Sequence, residues 1–226
     1  MTAIRPPEYF PRLSYMALLL AADSGVLADT FQYSRQSFQN RMRIRTPQGR
    51  HWLSVPLKGG QHGRPICEVE IDRRVNWQRT HWRSLVYNYS SAPFFQFYDR
   101  EVHELLHEEW HTLGELTCAS VELLCRLLGV ETLLRRASAL PGAPADLEGV
   151  AHSVHDGTLL ALPDTASHDA RLVGNVRVLA YSERVRHQNF PGFEAGLSAL
   201  DLLFNYGPEA RSILQEGTSV ADDVGA

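Results

Sequence analysis

Residues Thr2–Ala28 read TAIRPPEYFPRLSYMALLLAADSGVLA, and the fold class turns on this stretch. The first residues have room only for a short strand before the Pro6-Pro7 break. Pro11 stands where proline favours the opening of a helix, which predicts a helix over Arg12–Ala22, ended by Asp23-Ser24-Gly25. Val26-Leu27-Ala28 then reads as a buried strand. The run Leu13–Ala22 also fits a signal-peptide core behind Arg5 and Arg12. It is too short to cross a bilayer, and Ser14 and Tyr15 interrupt it, so a buried helix is the reading adopted. No other segment approaches membrane length, and a cytoplasmic protein without membrane insertion is expected.

Working outward, Arg41–Arg45 and His51–Leu57 flank Thr46-Pro47-Gln48-Gly49, a turn with proline at its second position, and predict a hairpin. Ile66–Ile71 (ICEVEI) alternates like a half-buried strand. Trp77–Tyr89 has the spacing of an amphipathic helix. Asp99 is read as the cap of one long helix reaching Leu128 and stopped by Gly129, with Val130–Leu134 a further strand. Residues 138–170 are rich in Ala, Pro, Gly and Asp and read as loop. Gly196–Asn205 and Glu209–Leu214 close the chain as helices. Strands before residue 75 and helices after it predict an α/β fold. Its mixed central sheet is built mainly from the N-terminal half and covered by helices mainly from the C-terminal half. The expected organisation is an α/β core with the long helix over 1–137 and a flexible loop or linker over 138–170. A C-terminal helical segment packed on the core follows over 171–215, and a tail over 216–226.

The chain has 226 residues and a net charge of −4, which hides an asymmetry. Residues 1–100 hold 14 Arg or Lys against 7 Asp or Glu, and the remainder holds 8 against 19. A basic half suits an anionic ligand; attraction between the two halves accounts for it equally well. Lys58 is the one lysine of the chain, and an ammonium surviving among arginines points to chemistry a guanidinium cannot supply. The three cysteines, Cys67, Cys118 and Cys125, are odd in number and scattered, against a disulfide framework or a thiolate metal site.

Between residues 29 and 44 the chain reads DTFQYSRQSFQNRMRI, with Asp29, Gln32, Tyr33, Arg35, Asn40, Arg41 and Arg43 as strong polar groups. So many after a buried strand are costly unless solvated or holding a polar ligand. The region beyond a strand's carboxyl end is also where α/β folds bind ligands. A basic surface loop is the plain alternative. These blocks, Tyr9–Asp23, Ala28–Ile44, Leu53–Gly60 (LSVPLKGG), Asn76–Phe95 and Gly196–Ala210 (GLSALDLLFNYGPEA), resemble the WbqC-like family in order and spacing. Asp29, Gln32, Tyr33, Asn40, Arg41 and Lys58 keep the family pattern. Ser14, Ala28, Thr30, Arg35 and Phe38 depart from it, and Thr30 removes one of two adjacent carboxylates on which a metal would rest.

The resemblance implies a link to bacterial surface-polysaccharide (O-antigen) biosynthesis. A transferase-type enzyme acting on an anionic or activated sugar or acyl donor is therefore expected. In it Asp29 serves as base or hydroxyl ligand, Lys58 as point charge and His81 as proton shuttle. Gln32, Tyr33, Asn40, Arg41 and Arg43 hold the ligand. An interface role for His81 is the plainer alternative. The residues name no cofactor, and nucleic acid is not the expected partner. The aromatic-rich stretch Trp77–Tyr98 reads as core. A non-catalytic binding or scaffold protein is the second reading. The third is a zinc hydrolase through His107-Glu108-Glu109-Trp110-His111, an HExxH match that needs both histidines on one helix face; the position of a further histidine is Thr117, and the flanking glutamates mark a solvated face.

Overall fold

The computed structural model describes residues 1–154, 157–173 and 175–221. It opens as expected with β1 (Thr2–Arg5), α1 (Leu13–Ala21) and β2 (Ser24–Leu27). Leu13 and Tyr15 through Leu19 of α1 are buried, so the helix lies inside the core. The hairpin follows as β3 (Arg41–Thr46) and β4 (Gly49–Ser54), a two-stranded sheet of its own. Its period-2 alternation turns Met42, Ile44 and Leu53 into the core. Arg43 pairs across the strands with Trp52, on the opposite face.

Ile66–Ile71 is not a strand. Pro65 precedes a 3-10 turn at Ile66–Glu68, fixed by main-chain bonds from Ile66 to Phe31 and from Cys67 to Asp29. The single long helix is two: α2 (Trp77–Tyr89) is followed by α3 (Phe95–His107) and α4 (Leu113–Leu127). The break has a local cause. Thr112 and Glu115 form a capping box, each side chain satisfying the other's main-chain N–H, and this favours a helix start over continuation. The Trp110 indole nitrogen closes the end of α3 by donating to the Leu105 carbonyl at 2.8 Å.

The remaining elements are β5 (Leu133–Arg136), α5 (Leu147–Val154), β6 (Leu159–Ala161), α6 (Ala166–Val173), β7 (Val176–Tyr181), α7 (Ala199–Tyr206), α8 (Ala210–Glu216) and β8 (Thr218–Ala221). Residues 138–170, expected as loop, thus carry α5, β6 and most of α6. Leu159, Leu160 and Ala161 are all buried, and a run this short has no readable periodicity. The expected tail contributes β8; residues 222–226 lie outside the described residues.

Among the described residues the main sheet runs β5-β2-β1-β6-β7-β8, parallel except for the antiparallel edge strand β8. The α/β class and mixed sheet stand. The N-terminal strands β1 and β2 lie inside the sheet, and strands from beyond residue 130 extend it on both sides. Renumbered by appearance, the order is 3-2-1-4-5-6, the doubly wound arrangement, whose order reverses between β1 and β6. Ligands of such sheets sit outside the carboxyl ends of the strands flanking that reversal.

Candidate functional site

β1 ends at Arg5 and β6 at Ala161, so the reversal point lies between Arg5-Pro6 and Leu162–Thr165. A crevice of about 210 Å³ opens there, lined by Arg5, Glu8, Arg12, Phe38, Gln39 and Asp164 among others. Arg5 is set by Thr165, whose hydroxyl accepts from its guanidinium at 2.7 Å, and by the Asp164 carboxylate at 3.5 Å. Glu8 is buried and takes two bonds from the Arg12 guanidinium, at 3.2 and 3.0 Å. Burial raises its pKa, with Arg12 and Arg5 acting against the rise. A buried carboxyl with a shifted pKa in a cleft is a candidate functional group. The Tyr15 hydroxyl, close enough for the Glu8 charge to act on it, is buried with no hydrogen-bond partner among the described residues.

The loop forming this wall is strained. Phe10 sits at φ +42°, a left-handed conformation that bulky residues avoid and that costs on the order of 1–3 kcal/mol. Its surroundings impose it. The Phe10 N–H donates to Ser120 Oγ of α4 at 3.1 Å, and that hydroxyl lies 3.2 Å from the Glu8 carbonyl. Further main-chain bonds run from Tyr9 to the Phe38 carbonyl at 3.0 Å, from Ala199 to Pro11 at 2.8 Å and from Ser198 to Arg43 at 2.8 Å. The loop after β1, the polar segment after β2 and the start of α7 are thereby tied together around Arg12.

The residues singled out from the sequence divide among three places. Tyr33, Arg35, Asn40 and Lys58 do share a hollow, of about 510 Å³, with Gln61 and His62. There the Lys58 ammonium is paired with Glu70, which it holds below the ordinary carboxylate pKa. The Asn40 amide donates to the Val55 carbonyl at 3.0 Å. Tyr33 is buried, its pKa raised by desolvation, and Gln32 is exposed, bridging in main chain to Pro65. Arg41 and Arg43 lie on the hairpin face, over the Trp52 ring.

Asp29 and His81 belong to neither hollow. Both Asp29 oxygens are taken by Ser138, from N–H at 2.9 Å and from Oγ at 2.6 Å. His81 is in the core, its Nδ1 2.9 Å from the Tyr9 hydroxyl, and burial lowers its pKa to about 4. The HEEWH motif loses the helix it needs: His107 is the last residue of α3 and His111 lies in the break. His107 Nδ1 is bound to the His103 carbonyl and His111 Nδ1 to Arg73. Among the described residues no cluster of three or more His, Cys, Asp or Glu has metal-binding geometry.

Sequence reasoning passed over Arg5, Glu8, Arg12 and Asp164. A signal existed in Glu8 and Arg12, four apart and directly behind the first strand; Asp164 had none, since β6 was not read. Besides the Lys58 hollow, larger concavities lie elsewhere, one of about 420 Å³ along Val185–Phe193 and two that are less suited. The first of these two, lined by Thr2, Leu159 and Asn175, opens at the amino ends of β1 and β6, the opposite edge of the sheet. The other follows the outer side of α2.

No described helix is long and apolar enough to cross a membrane, and no solved structure matches the chain. The chain is 32% identical over 224 residues to a Mycobacterium tuberculosis protein named "Uncharacterized protein Rv1507c", covering 94% of this chain and 96% of that one. A model of the WbqC-like protein family matches residues 6–213. By that match over most of its length, the chain belongs to the WbqC-like protein family.

Proposed function

We propose that the chain binds an anionic small molecule in the crevice between the carboxyl ends of β1 and β6, and acts on it as a transferase-type enzyme of surface-polysaccharide assembly. The observation that carries the binding site is the convergence of Tyr9, Pro11, Phe38, Arg43, Ser198 and Ala199, all in family-pattern blocks, through direct main-chain bonds beside the reversal of strand order. Arg5 and Arg12, paired with Asp164 and Glu8, supply the guanidinium N–H groups. Glu8, buried with a raised pKa, is the group suited to exchange a proton. The pathway and the transfer chemistry rest on family membership alone. Asp29 and His81 are left out, their polar atoms being engaged elsewhere. Lys58 is a separate part of the proposal, supported by the hollow it shares with Arg35 and Asn40.

A thermal-shift screen against nucleotide sugars, sugar phosphates and acyl-coenzyme A, followed by a turnover assay on any hit, tests this. Arg12→Gln is expected to weaken binding of a hit at least tenfold. Lys58→Arg is expected to impair turnover without lowering the melting temperature. A hit that Arg12→Gln leaves unchanged would remove the crevice, and unchanged turnover in Lys58→Arg would remove the lysine.

A further inference from the structure

We infer that the hairpin face beside the crevice binds the diphosphate group of an extended ligand; this rests on the crevice reading and names the chemical class of its ligand. Guanidinium groups and rings alternate here. Arg12 lies over Phe38, 4.5 Å from the ring centre, and Arg43 over the same ring at 5.3 Å. Arg43 and Arg41 lie over Trp52 at 4.3 and 4.1 Å. Arg12 is balanced by Glu8, and neighbouring Arg50 by Glu194 at 3.1 Å. Among the described residues Arg41 and Arg43 are not balanced, and Arg41 donates only to the main-chain carbonyls of Gln36 and Ser37. The Arg43 guanidinium has no acceptor among the described residues, and burial with the charges of Arg50, Arg41 and Arg12 pushes its pKa below the ordinary arginine value.

The open Arg43 fork and the Nη1 end of Arg41, whose Nε and Nη2 serve Ser37 and Gln36, are held over rings rather than by carboxylates and fit phosphate oxygens. Two linked phosphates reach both groups, whereas a single phosphate occupies one. Size points the same way. The crevice, at about 210 Å³, falls short of the roughly 300–1,000 Å³ of small-molecule sites, so a nucleotide-sized ligand has to extend out of it. Arg12 and Phe38 border both crevice and hairpin face, which makes this face the exit. Gly196, at φ +72°, lies beside it, and a Cβ there would come within 3.3 Å of Nη1 of Arg43. The diphosphate has two sources, a nucleoside-diphosphate sugar or a coenzyme A thioester.

The test is titration of the full chain with inorganic diphosphate and with inorganic phosphate at constant ionic strength, by calorimetry and tryptophan fluorescence. Diphosphate is expected to saturate and to bind at least tenfold more tightly than phosphate. Arg43→Gln and Arg41→Gln, each confirmed folded by its melting transition, are each expected to weaken it at least tenfold. Trp52→Phe is expected to abolish the fluorescence change. UDP-glucose or acetyl-coenzyme A is expected to displace diphosphate, and the one that does identifies the source. Equal affinity for the two anions, no saturation, indifference to both arginine variants, a fluorescence change persisting without Trp52, or displacement by neither compound overturns the inference. Arg5→Gln separates the two readings: UDP-glucose binding lost in that variant but kept in both hairpin variants leaves the crevice and removes the diphosphate site.

Discussion

His81 and Glu8 show how burial decides what an ionisable side chain can do. His81 packs its ring against both Tyr9 and Trp77, with its Nδ1 on the Tyr9 hydroxyl, and desolvation lowers its pKa from 6.5 to about 4. The folded protein therefore binds fewer protons than the unfolded chain between those values, and stability rises with pH across that window. On acidification from pH 6.5 to 4 this one group removes up to about 3 kcal/mol. Glu8 and Asp201, whose pKa values burial raises, act in the opposite sense above their unfolded values. Urea unfolding at pH 7 and pH 4.5 is expected to show a smaller midpoint drop in His81→Gln than in the unmodified protein. An equal drop would mean that His81 does not titrate as its burial requires. His81 was identifiable from the sequence as an interface residue or a shuttle; only its neighbours distinguish the two.

At the scale of elements, two opposed effects meet at Gly114 in the first turn of α4. Replacing a helical glycine by alanine favours the helix by about 1 kcal/mol. A Cβ at Gly114, however, would lie 2.6 Å from Cα and 3.0 Å from N of Cys67, main-chain atoms of the 3-10 turn that the Asp29 carbonyl and Ile66 hold in place. Such overpacking costs about 1–3 kcal/mol, so Gly114→Ala is expected to lower stability by chemical denaturation; a gain would show that the turn yields. The same region marks what could be read beforehand. Helix Trp77–Tyr89 and the hairpin were legible because their periodicity is long or their turn residues distinctive. The break before α4 was written in Thr112 and Glu115, yet the apolar spacing on both sides runs in phase and conceals it. The 3-10 turn at Ile66–Glu68 was hidden because its alternation fits a strand, while its hydrogen bonds go to residues some 35 positions earlier.

For the molecule as a whole, the α/β class was legible from Thr2–Ala28, but the site depended on strand order, which no local pattern encodes. β6 is three buried residues inside a segment of loop-like composition, and without it the reversal between β1 and β6 cannot be seen. Of the arginines in the basic first hundred residues, Arg5 and Arg12 line the crevice and Arg12, Arg41 and Arg43 lie over the rings of the hairpin face, while Lys58 is paired in a separate hollow. The central claim is therefore about position. It is tested most directly by amide chemical-shift mapping of the isotopically labelled protein during titration with the tightest ligand from the screen. The shifts are predicted to concentrate in residues 5–12, 37–43 and 162–165. Shifts confined to the Lys58 hollow or to the amino edge of the sheet, with Glu8, Phe10 and Phe38 unmoved at saturation, would contradict the account.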